Sequence, residues 1–121
     1  MNVSRGDVVR VDWPFSNRTG SKVRPAIVVQ SDMLNGRIAD TILVLVSRTQ
    51  RAIGITEVLI DPAIETQSGL RYPSVVSCNN LLTVDQAFVV QVLGRLSSAK
   101  MQEIDDRLKT ALDLRAGIRT F

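Results

Sequence analysis

Arginine and hydroxyl side chains stand at the ends of two strongly apolar segments, and these residues have the clearest potential for chemistry. Arg24 precedes Pro25 and the run A-I-V-V at 26–29, while the run T-I-L-V-L-V at 41–46 is followed by S-R-T-Q-R. If the two runs are antiparallel neighbours in a sheet, the start of one lies beside the end of the other. We therefore expect Arg24 and Ser47 to meet at one edge of the sheet.

A guanidinium beside a hydroxyl suits an anionic phosphate. The guanidinium presents a rigid fork of donors that matches phosphate oxygens, and the hydroxyl adds another donor. Such a pair could support phosphodiester cleavage in which the 2′-OH of RNA attacks the adjacent phosphorus, because the enzyme must then stabilise a charged phosphorane. The chain has no histidine, so acid–base work falls to other groups, and we expect no metal and no cofactor. Taken alone, Arg24 could also simply cap a strand end in water.

Aromatic and basic residues near the first apolar run could hold unpaired bases. Trp13 and Phe15 could stack on bases, although Trp13 could equally be a core aromatic on a half-buried strand. The segment Ser16 to Lys22 has the composition of a flexible loop. The cations expected to contact RNA are Arg18, Lys22, Arg48 and Arg51.

Composition favours one small globular domain spanning 1–121. The net charge of +3 is uneven, since residues 1–51 hold eight Lys/Arg and four acids (+4) and the remainder holds seven and eight (−1). A basic half favours a polyanion or an acidic partner. No segment has the ~18 apolar residues of a membrane span, and the N-terminus lacks a signal-peptide core, so we expect a cytoplasmic protein. The single Cys78 is expected to be a buried, inert thiol rather than a nucleophile.

Five or six short strands followed by one helix are predicted. Strands are expected at 8–13, 26–29 with Pro25 as the first residue, 41–46, 56–60, 73–77 and 88–93. Ser31-Asp32 should begin a short helical turn that Asn35-Gly36 ends, and Asn79-Asn80 should turn the chain. From Ser98 the apolar spacing becomes helical until about Leu114. Antiparallel strands with short connections predict a mostly β fold, a small twisted barrel-like sheet with a C-terminal helix.

The order of these segments resembles the MazF/PemK family of toxins from bacterial toxin–antitoxin pairs. The resemblance is carried by R-G-D-V-V-R-V-D near the start and by G-S-K-V-R-P-A-I-V-V-Q-S-D, which is the most specific part. L-V-L-V-S-R-T-Q, T-E-V-L-I, P-S-V-V-S-C-N, L-T-V-D and a final helix follow in the family's order. The match spans nearly the whole chain.

The resemblance implies a metal-independent endoribonuclease that cuts single-stranded RNA at short sequences and leaves 2′,3′-cyclic phosphate and 5′-hydroxyl ends. It implies a compact SH3-like barrel, a homodimer, and an acidic, partly disordered antitoxin segment as partner. The family's catalytic arginine falls on Arg24 and its catalytic Ser/Thr on Ser47, with Thr49 as the fallback if the register slips by two.

One departure from the family pattern concerns the strand S-V-V-S-C-N. Some members carry an Arg and an Asp there, and this chain has Ser77 and Asn79, which we assign to RNA binding. A carboxylate base is therefore missing at that place, so either Arg24 carries more of the proton transfer, or the enzyme is slower, or activity is lost. Two alternatives stay open: a toxin of the same fold that poisons DNA gyrase through its C-terminal helix, and a barrel that binds RNA without cleaving it.

Overall fold

Six strands and two helices make up the part of the chain described by the structure, a computed structural model covering residues 2–15, 17–48 and 53–114. In chain order the elements are β1 (Asp7–Pro14), β2 (Ser21–Val28), α1 (Asp32–Asn35), β3 (Asp40–Arg48), β4 (Glu57–Ile60), β5 (Ser74–Asp85), β6 (Val89–Arg95) and α2 (Ser98–Leu112). The strands form one antiparallel sheet in the order β4-β5-β3-β2-β1-β6. The predicted mostly β architecture with a C-terminal helix is confirmed, although the sheet does not close into a full barrel.

The two faces of the sheet carry separate apolar clusters, and this explains why the central strands are continuously apolar. Successive side chains of a strand point to opposite faces. In β2, Ile27 joins the cluster beneath α2, whereas Ala26 and Val28 join the cluster on the other face, and all three are fully buried. Met101 and Ile104 are the buried residues with which α2 covers its face. No helix within the described ranges is long and apolar enough to cross a membrane.

Pro25 lies in the middle of β2, and the prediction that it begins the strand was wrong. β2 begins at Ser21 and pairs with β1 from there, with Pro25 opposite Arg10. The ladder to β3 begins only at Ala26, so the first part of β2 pairs on one side alone. A strand edge tolerates proline because no backbone N–H is needed there.

The connection between β1 and β2 is shorter than the predicted loop. The ladder runs to Trp13 opposite Lys22 and Pro14 opposite Ser21, so Lys22 is a strand residue. The turn is closed by the N–H of Phe15, which donates to the carbonyl of Gly20 at 2.8 Å. Ser16 lies outside the described residues.

β5 runs through the place where the sequence suggested a turn. The strand continues to Asp85, so the predictions of a short strand at 73–77 and of a turn at Asn79-Asn80 were wrong. β3 pairs Val44 with Leu81 but the next residue, Leu45, with Ser77. The asparagines therefore lie in a β-bulge of β5, where β3 has no residues opposite them. A bulge bends a strand without reversing its direction.

The short helix α1 supports the opposite end of the sheet and was predicted correctly. Ser31 is its N-cap and Gly36 its C-cap. Asn35 is buried, and its side-chain oxygen accepts hydrogen bonds from Gln30 Nε2 at 2.9 Å and Thr41 Oγ1 at 2.8 Å. A single 3₁₀ turn, Gln86–Phe88, then leads into β6, so Phe88 precedes the last strand rather than starting it.

Candidate functional site

A groove of about 920 Å³ lies between the β1–β2 hairpin and the irregular part of β5. Its lining combines aromatic, basic and amide side chains with leucines: Trp13, Pro14, Phe15, Asn17, Arg18, Arg24, Leu45, Asn79, Asn80, Leu81 and Leu82. Four of the residues predicted for the site from sequence, Trp13, Phe15, Arg18 and Arg24, are thus brought together with Asn79.

Arg24 is held on the ladder between β1 and β2. It stands opposite Val11 of β1, which is fully buried, and is itself half-buried. Because side chains alternate along a strand and cross-strand partners share a face, Arg24 lies on the same face as Trp13. Trp13 packs against the core cluster of that face and also lines the groove, so its predicted core position is confirmed and its stacking on bases stays a prediction.

Ser47 lies near the end of β3, the strand that pairs with β2. The two strands are antiparallel, and their last paired residues at this end are Ala26 and Leu45. If the register continued for two more residues, Arg24 and Ser47 would lie opposite each other on one face of the sheet. Leu45 lines the groove, whereas Ser47 is half-buried beyond the lining and pairs with Val75 of β5. The meeting of Arg24 with Ser47 stays a prediction.

The hairpin tip presents one cation and one aromatic ring to the groove. Arg18 has the left-handed φ of 61°, and its N–H donates to the carbonyl of Phe15 at 2.9 Å. The side-chain oxygen of Asn17 accepts from Thr19 N at 3.1 Å and from Thr19 Oγ1 at 2.7 Å. These short-range bonds order the tip, so Phe15 and Arg18 are presented from a defined turn.

The two β5 residues assigned to RNA binding from the sequence differ in accessibility. Ser77 is 5% exposed and faces Leu45 and Glu57 across its two ladders. Asn79 is exposed and lines the groove, and its side-chain oxygen accepts from Thr56 Oγ1 at 3.4 Å. Asn79 is therefore the better placed of the two for a ligand.

The remaining predicted cations lie apart from the lining. Lys22 is exposed beside Trp13 on the hairpin. Arg48 follows Ser47 and points to the opposite face of the sheet, where its guanidinium carbon lies 4.3 Å from the ring centroid of Tyr72. Thr49 and Arg51 lie outside the described residues, as does the C-terminal end from residue 115, on which the gyrase alternative partly depends.

Cys78 is an inert core residue, as predicted. Its side chain is fully buried among the apolar residues beneath α2. Burial raises the pKa of the thiol to about 11, so the reactive thiolate is scarce at neutral pH.

Sequence reasoning did not assign part of the groove wall to the site, namely Pro14, Asn17, Asn80 and the leucines at 45, 81 and 82. The signal was present for Asn80, because two adjacent asparagines between apolar residues are unusual in a strand. The same pattern also predicts a turn. Only the strand pairing shows that Asn79 and Asn80 both belong to β5.

Comparison with known proteins identifies the family of the chain. Residues 4–112 match the family model described as the PemK-like, MazF-like toxin of type II toxin–antitoxin systems. The chain is 28% identical over 116 residues to endoribonuclease MazF2 of Mycobacterium bovis and to endoribonuclease MazF6 of Mycobacterium tuberculosis, covering 94% of this chain and 100% of each relative.

Solved structures give the same picture. A mycobacterial endoribonuclease in complex with its cognate antitoxin superposes with a TM-score of 0.78 at 27% identity, covering 95% of this chain and 99% of that one. The fold is also that of a toxin chain in a MazE–MazF complex from Deinococcus radiodurans, with a TM-score of 0.71 at 20% identity and coverage of 95% and 100%. The resemblance seen in the sequence is thereby confirmed: the chain belongs to the PemK-like, MazF-like toxin family of type II toxin–antitoxin systems.

Proposed function

We propose that this toxin is a metal-independent endoribonuclease that cleaves single-stranded RNA within the groove. The 2′-OH attacks the adjacent phosphorus, and the products carry 2′,3′-cyclic phosphate and 5′-hydroxyl ends. The observation that carries the proposal is the placement of Arg24, on rigid strand backbone, in an open groove that also presents Trp13 and Phe15. This combination supplies a phosphate ligand and stacking surfaces for unpaired bases.

Each residue has a defined role in this proposal. Arg24 stabilises the charge on the phosphorane and takes part in proton transfer, and Ser47 holds a phosphate oxygen. Arg18 and Lys22, on the same hairpin, attract and orient the RNA backbone. Asn79 contacts the RNA from the other wall of the groove.

The proposed partners follow from the family and from the charge distribution. An antitoxin segment that is acidic and partly disordered would neutralise the basic first half of the chain, which carries a net +4. We further propose that the toxin acts as a homodimer in the cytoplasm, where mRNA is available as substrate.

Replacing Arg24 tests the proposal directly. Arg24→Ala should lower the rate of RNA cleavage by roughly 10²- to 10³-fold, the usual cost of removing one preorganised donor to a developing anion. The matched control is Arg10→Ala, because Arg10 lies on β1 of the same hairpin but points to the opposite face. Both variants should show wild-type circular dichroism.

The outcomes separate the functions considered. A large loss confined to Arg24→Ala supports the assignment. Equal activity of Arg24→Ala and the wild type would overturn it. If the wild type binds RNA in a salt-sensitive way but does not cleave it, the protein is an RNA-binding barrel and not a nuclease.

A further inference from the structure

We propose that Asn80 reads the edge of one unpaired adenine in the groove. This inference rests on the proposed function, because it assumes that RNA occupies the groove. It adds a residue that selects the sequence to be cut, as distinct from residues that hold phosphate. Phosphate contacts position a nucleic acid but carry no sequence information of their own.

Three asparagines line the groove, and they differ in whether their amides are already engaged. Asn17 is engaged by Thr19 through two hydrogen bonds within the hairpin turn. Asn79 accepts a hydrogen bond from Thr56. The side-chain amide of Asn80 is exposed and has no hydrogen-bond partner among the described residues. Of the three, Asn80 is the one whose amide oxygen and nitrogen are both without a partner among the described residues, so its amide is the freest to turn toward a ligand.

The bulge in β5 explains why this amide faces the groove. Residues 78–80 fall between the ladder partners of Val44 and Leu45, so β5 has extra residues that β3 does not oppose. Cys78 is buried in the core beneath α2, and its N–H donates to the carbonyl of Thr56 at 2.9 Å. The two residues that follow are left exposed over the groove. Because the ladder resumes at Leu81, Asn80 is anchored close to paired strand on both sides.

The surroundings of Asn80 suit a stacked base. Leu81 and Leu82 form an apolar wall next to it, and Trp13 and Phe15 contribute aromatic surface to the same groove. A base stacked on an aromatic ring presents its polar edge sideways, toward a neighbouring amide. An unpaired base exposes both its N6/N7 edge and its Watson–Crick edge. We assign Asn80 to the N6/N7 edge, where adenine presents the donor and acceptor that asparagine matches, whereas guanine presents two acceptors.

Mapping of cut sites tests the inference. The wild type and Asn80→Ala are incubated with a randomised single-stranded RNA library, and the 5′-hydroxyl ends are sequenced. We expect the wild type to prefer adenine over guanine at one position by about fivefold to 150-fold, the range for a bidentate base contact. Asn80→Ala should lose this preference while still cutting. Asn2→Ala, which changes an exposed asparagine outside the groove, should keep it.

A binding measurement decides the point independently of cleavage. Fluorescence anisotropy with labelled hexamers of adenylate and of cytidylate compares Arg24→Ala with the double variant Arg24→Ala/Asn80→Ala. The ratio of the two affinities should shift away from adenylate in the double variant. An unchanged ratio together with an unchanged cut-site preference would overturn the inference, as would loss of preference for a base other than adenine. If the wild type does not cleave RNA, the nuclease proposal fails, and the affinity ratio still decides the role of Asn80.

Discussion

The two ends of β3 carry similar polar residues and use them differently. At the first end, Thr41 is fully buried and donates to Asn35, which in turn accepts from Gln30, and all three residues are buried. At the second end, Ser47 lies two residues beyond Leu45, which lines the open groove. In that groove, Asn80 is exposed and its side chain has no hydrogen-bond partner among the described residues. One end is a closed hydrogen-bond network, and the other offers polar groups to solvent.

This difference separates stability from function. Buried polar groups must be satisfied within the protein, because an unpaired amide or hydroxyl in the interior costs free energy. Exposed polar groups pay no such penalty while solvated, so they can exchange water for a ligand. We therefore expect substitutions at the first end to change the free energy of unfolding, and substitutions at the second end to change the reaction.

Among substitutions within β3 and its supporting network, the largest effect is expected at the groove end, from Ser47→Ala. Loss of one hydroxyl donor to the phosphate should lower the cleavage rate by roughly 100-fold, about 3 kcal/mol of transition-state stabilisation, with little change in stability. Single-turnover cleavage of a short RNA measures the rate. Thr83→Ala, an exposed hydroxyl at the other end of β5, is the control and should cleave normally. Full activity of Ser47→Ala with loss of activity in Thr49→Ala would move the role to Thr49.

At the other end of β3, where Gln30, Asn35 and Thr41 are hydrogen-bonded, a smaller effect is expected, and it concerns stability instead of the cleavage rate. Asn35→Ala removes the acceptor of Thr41 Oγ1 in the interior and one of the two acceptors of Gln30 Nε2, which keeps its bond to the carbonyl of Asp40 at 2.8 Å. The free energy of unfolding should fall by about 2 to 3 kcal/mol, as measured by urea denaturation. The cleavage rate of the folded fraction should stay at the wild-type value. A large loss of catalysis at unchanged stability would contradict the separation of the two ends.

The smallest effect concerns Asp32, which links α1 to the N-terminal segment. The backbone N–H of Arg5 donates to Asp32 Oδ1 at 2.7 Å, and the amide of Asn35 donates to the same oxygen at 3.2 Å. These bonds, that from Arg5 first, lower the pKa of the Asp32 carboxyl below its ordinary 3.8. A carboxylate with a lowered folded-state pKa stabilises the protein above the ordinary value, and this contribution is lost as the pH falls through the folded-state pKa.

Asp32→Asn should therefore be less stable than the wild type at pH 7, and the difference should shrink in acid. Thermal denaturation of both proteins between pH 7 and pH 3 measures it. A difference that stays constant across this range would show that the charge of Asp32 is not the source.

The apolar segments made most of the fold predictable. Runs such as 26–29 and 41–46 identify central strands because both faces of the sheet are covered, and the change of period at Ser98 identifies α2. The strand boundaries that were predicted wrongly lie where pairing with a neighbouring strand determines whether the strand continues. Pro25 sits within a strand because β2 is unpaired with β3 at that point, and a partner strand cannot be seen in local sequence.

The candidate site was predictable only in part. Arg24 and the aromatics were found because residue chemistry and position beside an apolar run are visible in the sequence. Asn80 was not, because its exposure depends on the bulge between Val44 and Leu45, which is a property of two strands together. Ser77 shows the converse, since a polar residue at a plausible position proves to be buried.

The most direct test of the account is the chemistry of the RNA ends. The purified toxin, free of antitoxin, is incubated with a long single-stranded RNA in excess chelator, and the fragments are analysed for their termini. Metal-independent attack by the 2′-OH should yield discrete fragments with 2′,3′-cyclic phosphate and 5′-hydroxyl ends. Intact RNA from folded protein, or fragments that end in 3′-hydroxyl and 5′-phosphate, would contradict it.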